Sequence, residues 1–161
     1  MLSVDLFKNY SMNFYDIQIV LQEVPGQISI CFSITGCNLH CKGCHSPHLW
    51  KKELGKKLTT DKYLEVIHKY KGFATCVLFM GGEWHQKVLI EYLEIAKKMG
   101  YETCLYTGLS KDKLSSEILT HLTWLKFGAW IEELGGLNSP ITNQKFIDIK
   151  QNKILNHLFK I

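Results

Sequence analysis

A chain of 161 residues with 46% hydrophobic content and a formal charge of +4 is long enough to bury an ordinary core, and its composition excludes fibrous, low-complexity and disordered classes. No apolar run is long enough to span a bilayer, and the first residues, MLSVDLFKNYSMNFYD, lack the basic start, apolar centre and small-residue cleavage site of a secretory signal. One domain over residues 1–161, in the cytoplasm, is therefore the expectation. The densest basic run, Lys51, Lys52, Lys56 and Lys57, has no interleaved aromatics, the pattern of a solvated face and not of a nucleic-acid or membrane surface.

Taken in chain order, an N-terminal arm of about residues 1–27 carries a strand or hairpin arm from Asp16 to Gln22 and a turn at Pro25–Gly26. Ile28 to Ile34 alternates apolar with small residues and reads as a strand. A polar loop with three cysteines leaves its end. TTDKYLEVIHKY begins with capping residues and sets Leu64 and Ile67, with Tyr63 and Val66, on one face; it reads as a helix ending at Gly72. CVLFMGG is a continuous apolar run of the kind found in buried parallel strands. HQKVLIEYLEIAKKMG has helical apolar spacing and a terminal glycine. TCLYTG follows as a strand, LSKDKLSSEILTHL as a helix capped by Ser110, and LTWLKFGAWIEE as a further strand region whose Trp124, Phe127 and Trp130 would pack a core. The tail, about residues 150–161, either docks a partner or covers the bottom of the fold.

Strand and helix thus alternate about four times, which predicts an α/β fold with a mostly parallel sheet and crossover helices. Ligands of such folds lie at the carboxyl ends of the strands. Two unusual loops leave strands there, the cysteine loop after Ile34 and GGEWHQ after Met80, and they should face one site. The chain is too short for an eight-stranded barrel of ~250 residues; an open, partial barrel is expected, with a gap wide enough to admit something large.

The six cysteines divide in two. Cys31, Cys76 and Cys104 each sit alone in apolar, β-prone stretches and read as small buried hydrophobes. Cys37, Cys41 and Cys44 cluster in TGCNLHCKGCHSPHLW, where a metal or catalysis explains them better than disulfides. No fourth cysteine completes a structural zinc or ferredoxin-type set. His40, His45 and His48 are near enough in sequence to close a zinc site; the competing reading is a 4Fe-4S cluster on three thiolates with one iron open to a ligand.

The spacing Cys37-x3-Cys41-x2-Cys44 resembles the signature loop of the radical S-adenosylmethionine superfamily, and Gly81-Gly82-Glu83 resembles its second motif, in the right order and at a fitting separation. Gly43, the CHSPHLW continuation, the short length and Asn138 to Asp148 are similar to the activases of anaerobic ribonucleotide reductase, in the glycyl-radical activase group. The resemblance spans roughly Ile28 to Ile149. The superfamily usually has an aromatic residue where Gly43 stands, whereas the reductase activases tend to have glycine. Trp84 and His85 stand where many relatives have proline, so no shared role is carried to them.

This resemblance implies a partial β/α barrel of the radical S-adenosylmethionine type with one 4Fe-4S cluster on Cys37, Cys41 and Cys44. The open iron would take the amino and carboxylate groups of S-adenosylmethionine, whose reductive cleavage gives a 5′-deoxyadenosyl radical. Gly43, Cys44 and His45 would approach the adenine. Gly81 and Gly82 would let backbone approach the methionine ammonium, and Glu83 would either accept from that amine or cap the next helix; Thr107 and Gly108 are further pocket candidates. The implied partners are the catalytic subunit of an anaerobic ribonucleotide reductase and an electron donor such as flavodoxin or ferredoxin. Two other readings stay open: a radical enzyme acting on a small molecule such as a deazapurine precursor, and a non-catalytic zinc module.

Overall fold

A computed structural model of the chain describes residues 11–160; of the N-terminal arm, residues 1–10 lie outside the described residues. Strand β1 (Asn13–Val20) turns back at Pro25–Gly26 and pairs antiparallel with β2 (Ser29–Ile34). After the cysteine loop, a two-residue strand β3 (Lys56–Lys57) joins the far edge of β1. Its exposed lysines protect that edge against further pairing.

Helix α1 (Thr60–Lys69) starts where the Thr59 hydroxyl accepts a hydrogen bond from the Lys62 amide at 3.1 Å, satisfying one of the free amides of the first turn. Strand β4 (Cys76–Met80), helix α2 (Gln86–Lys98) and strand β5 (Glu102–Tyr106) follow as the alternation predicts. The next expected helix does not run through Leu109 to Leu122. A 3-10 turn at Lys111–Lys113 gives way to extended Leu114, and only Ser116–Thr120 forms helix α3. The cause is local: the Ser115 hydroxyl accepts from the Ile118 amide at 3.2 Å, a cap that starts a new helix where the expected one should have continued.

Strand β6 (Trp124–Phe127) is shorter than its apolar run, because the chain leaves the sheet at Gly128 and packs there against the backbone of Asn143 and Gln144. It returns as β7 (Lys145–Asp148), antiparallel to β6, and β8 (Lys153–Ile154) completes the sheet. The strand order is β3-β1-β2-β4-β5-β6-β7-β8, with β2, β4, β5 and β6 mutually parallel. This is the α/β partial barrel expected, parallel at its centre and flanked by antiparallel hairpins. Among the described residues no helix is long and apolar enough to cross a membrane.

Alternation along the strands makes two cores. Ile30, Phe32, Ile34, Val77, Phe79, Leu105 and Leu125 face the helices. The opposite face holds Cys31, Cys76, Leu78, Cys104 and Phe146, covered by Val24, Leu137, Leu155 and Phe159. The tail therefore closes the inside of the barrel, the Phe159 ring lying 5.1 Å from that of Phe146. Trp124 and Phe127 pack against these cores, but Trp130 does not; it lies over the cysteine loop.

Candidate active site

The cysteine loop is clamped at its base by the Leu49 carbonyl, which accepts from the amides of Gly36 at 2.7 Å and Cys37 at 3.1 Å. Its outer part is pinned by His40, in a left-handed backbone conformation and stacked on Trp50 with ring centroids 4.6 Å apart. Leu39 lies on Gly108 at the end of β5, only 2.5 Å from where a Cβ there would stand. The loop is thereby held against the strand ends that carry the rest of the site.

Cys37, Cys41 and Cys44 are unbridged and part-exposed. The Ser46 amide donates to the Cys44 sulfur at 3.3 Å. Burial pushes the Cys37 thiol up, an effect opposed by a backbone hydrogen bond from Leu39 and reinforced by the charges of Glu83, Cys41 and Cys44. Three cysteine sulfurs on one loop, with backbone amides donating to Cys37 and Cys44, suit a bound cation, which would hold them as thiolates. Cys31 and Cys76 are the opposite case: burial raises both to about 12. Burial raises Cys104 further still, so all three are inert neutral thiols.

The histidines near the cysteines turn to separate aromatic partners: His40 to Trp50, His45 to Trp130 and His48 to Tyr15. Among the described residues no group of three His, Cys, Asp or Glu side chains is set to hold a single metal ion.

A cavity of about 170 Å³ joins the two predicted loops, lined by Cys37 and Cys44 on one side and Gly81, Glu83 and Thr107 on the other. Gly82 lies behind it, buried against Ile34 and Met12. Glu83 does not cap α2: its Oε1 accepts from the Thr107 hydroxyl at 2.7 Å, while Oε2 is buried with no partner. Burial pushes its carboxyl up, the Thr107 hydrogen bond acting against it. An orphaned carboxylate oxygen beside a cavity is an acceptor waiting for a donor.

Sequence reasoning missed Lys126. It stands in register with Tyr106 on the inner face, its Nζ 5.4 Å from the Tyr106 ring centre. Burial lowers its ammonium to about 8, while the Cys41 and Cys44 thiolates pull it back up. It lines the first cavity and a second of about 480 Å³ that opens between Gln22–Glu23 and Gly136–Asn138. The signal was there in T-W-L-K-F: a lysine at an inward strand position next but one to Trp124.

Trp84, to which no role was assigned, is a strut between the two loops. Its ring edge lies 2.7 Å from where a Cβ on Gly81 would stand, and its Nε1 lies 3.4 Å from the same point on Gly36. Gly43 has φ +71 and is covered by Glu132 and Trp130. His45 lines the second cavity beside Trp130.

A family profile described as a 4Fe-4S single cluster domain matches residues 25–144. The chain is 32% identical over 107 residues to a pyruvate formate-lyase-activating enzyme of Clostridium pasteurianum, an alignment covering 63% of this chain and 44% of that protein. It thus spans less than half the length of that relative. The crystal structure of QueE from Escherichia coli has the same fold, with a TM-score of 0.57 over 79% of this chain and 76% of that one, at 17% identity.

Proposed function

Because the chain belongs to the 4Fe-4S single cluster domain family, within the radical S-adenosylmethionine superfamily, we propose that it cleaves S-adenosylmethionine reductively and generates a glycyl radical on the catalytic subunit of an anaerobic ribonucleotide reductase. Cys37, Cys41 and Cys44 would hold one 4Fe-4S cluster, with no fourth cysteine in the loop to complete it. The observation that carries this reading is the placing of the unpartnered Glu83 Oε2 and the half-buried Lys126 on one cavity with Cys37 and Cys44. A carboxylate and an ammonium beside a cluster complement the two ends of an amino acid.

Glu83 Oε2 would accept from the methionine amino group, and Lys126 Nζ would donate to its carboxylate. The Thr107 hydroxyl fixes Glu83 through the other oxygen. Gly81 leaves backbone open to the cavity, and Trp84 keeps the two loops at a constant separation. When bound, the cluster supplies the electron that cleaves S-adenosylmethionine for hydrogen-atom abstraction, chemistry that belongs to the cofactors while the protein orients them. A flavodoxin or ferredoxin delivers that electron, and the reaction takes place in the cytoplasm.

A polypeptide substrate has access through the second cavity, which shares Tyr106 and Lys126 with the first and, at about 480 Å³, leaves space beside a bound cofactor. Tyr106 donates from its hydroxyl to the Glu23 carbonyl, holding one lip of that cavity. The similarity to an enzyme whose name describes activating another enzyme points the same way.

Glu83→Gln and Lys126→Met should each weaken S-adenosylmethionine binding roughly tenfold to a hundredfold, the effect of losing one charged hydrogen bond. Calorimetric titration of the anaerobically reconstituted protein reads this directly, and unchanged affinity in both variants would remove the amino-acid site. The function is tested by electron paramagnetic resonance on reduced protein mixed with S-adenosylmethionine and the reductase subunit, with 5′-deoxyadenosine assayed in parallel. A glycyl-radical signal matched by 5′-deoxyadenosine is expected. 5′-Deoxyadenosine without the radical would exclude this protein substrate, and neither product from an intact cluster would exclude the chemistry.

A further inference from the structure

Residues 128–144, between β6 and β7, form a long connection without helix or strand. Connections of this length are usually functional or linkers, and this one is too firmly held to be a linker. Asn143 donates through Nδ2 to the Ala129 carbonyl at 2.9 Å, and Thr142 through its hydroxyl to the Gly135 carbonyl at 3.0 Å. Leu137 is anchored in the inner core. The connection therefore presents its side chains in fixed positions.

Trp130 is the residue it presents to the cysteine loop. Its Nε1 lies 3.5 Å from where a Cβ on Gly43 would stand, ordinary van der Waals contact, so the indole packs directly over that glycine. Its ring centre is 4.5 Å from that of His45, the planes inclined by 52°. Both rings line the cavity of about 480 Å³ that Lys126 joins to the cluster-side cavity. The Trp130 Nε1–H is buried and has no partner. Trp84 Nε1 is in the same state, but only Trp130 stands on the second cavity, where its unpaired donor is free to meet a ligand acceptor.

A ligand whose amino-acid end is held by Glu83 and Lys126 extends from the first cavity into the second, where the protein offers two aromatic faces and one hydrogen-bond donor. That combination suits a purine nucleoside, flat, polarizable and rich in acceptors. We propose that Trp130, paired with His45, is the binding residue for the adenosine part of S-adenosylmethionine, stacking on the base and donating Nε1–H to a nucleoside acceptor. This assignment rests on the function proposed above and adds to it a residue that lies outside both cysteine and glycine motifs.

The test is calorimetric binding of S-adenosylhomocysteine, adenosine and methionine to reconstituted wild-type, Trp130→Ala and Trp130→Phe proteins, with iron content and denaturation midpoint measured on each. Trp130→Ala should weaken S-adenosylhomocysteine and adenosine about 5- to 100-fold and leave methionine unchanged. Trp130→Phe should recover most of that loss, because it keeps a stacking face. Glu83→Gln should do the reverse, weakening methionine and sparing adenosine. Wild-type affinity for adenosine in Trp130→Ala would overturn the assignment and leave the proposed function standing, and so would an equal loss of methionine and adenosine, the mark of a structural role. A wild-type protein with intact cluster that binds no S-adenosylhomocysteine would overturn both.

Discussion

Replacing Cys37, Cys41 or Cys44 singly by alanine should abolish the cluster and, with it, S-adenosylmethionine cleavage by at least ~10³-fold, equivalent to about 4 kcal/mol on the barrier. Each supplies one of only three thiolates in the loop, and neither His40, His45 nor His48 is placed to substitute, since each ring is laid on an aromatic neighbour. The same change at Cys31, Cys76 or Cys104 should leave iron content and cleavage intact. Those side chains fill the inner core and are fully or almost fully buried, so their loss costs about 1–2 kcal/mol of stability through reduced packing. Visible absorption, iron content and 5′-deoxyadenosine yield on the six reconstituted variants separate the two sets. Equal iron loss across all six would overturn the division.

Gly81→Ala should destabilise the protein by about 2–4 kcal/mol, from a positive φ that a side chain resists and from overpacking. At φ +78 the new methyl would stand 2.7 Å from Trp84 Cη2 and 3.2 Å from Cζ3. The indole has little room to retreat, because its other edge lies over Gly36 at the root of the cysteine loop. Strain at Gly81 is therefore passed to the cluster loop, and S-adenosylmethionine affinity should fall together with stability. Adding Trp84→Phe should recover part of the loss by removing the clash while the backbone strain remains, so the two changes should be non-additive. Chemical denaturation of both variants measures this. A Gly81→Ala protein as stable as wild type would show that Trp84 does not brace the loops.

Much of the architecture is legible locally because it depends on periodicity. CVLFM reads as a buried parallel strand for the same reason that it forms β4: both of its faces are covered, one by the helices and one by Leu137 and Phe146. The helix expected from Ser110 fails because a second serine, Ser115, offers a competing cap, and a local pattern cannot rank two caps. The candidate cluster ligands were legible too, since three cysteines on one loop need no tertiary information to be grouped.

What the sequence by itself determined was the alternating α/β order, the two kinds of cysteine and the pairing of the cysteine loop with Gly81–Glu83 at adjacent strand ends. The tertiary structure decided which oxygen of Glu83 is left without a partner, that Lys126 stands behind the thiolates, that Trp84 spans Gly36 and Gly81, and that Trp130 leaves the core to cover Gly43. Each of these joins residues separated by dozens of positions, through side chains whose direction is set by packing on other elements. Spacing along the chain fixes which face of a strand or helix a residue occupies, but only the closed fold fixes what that face meets.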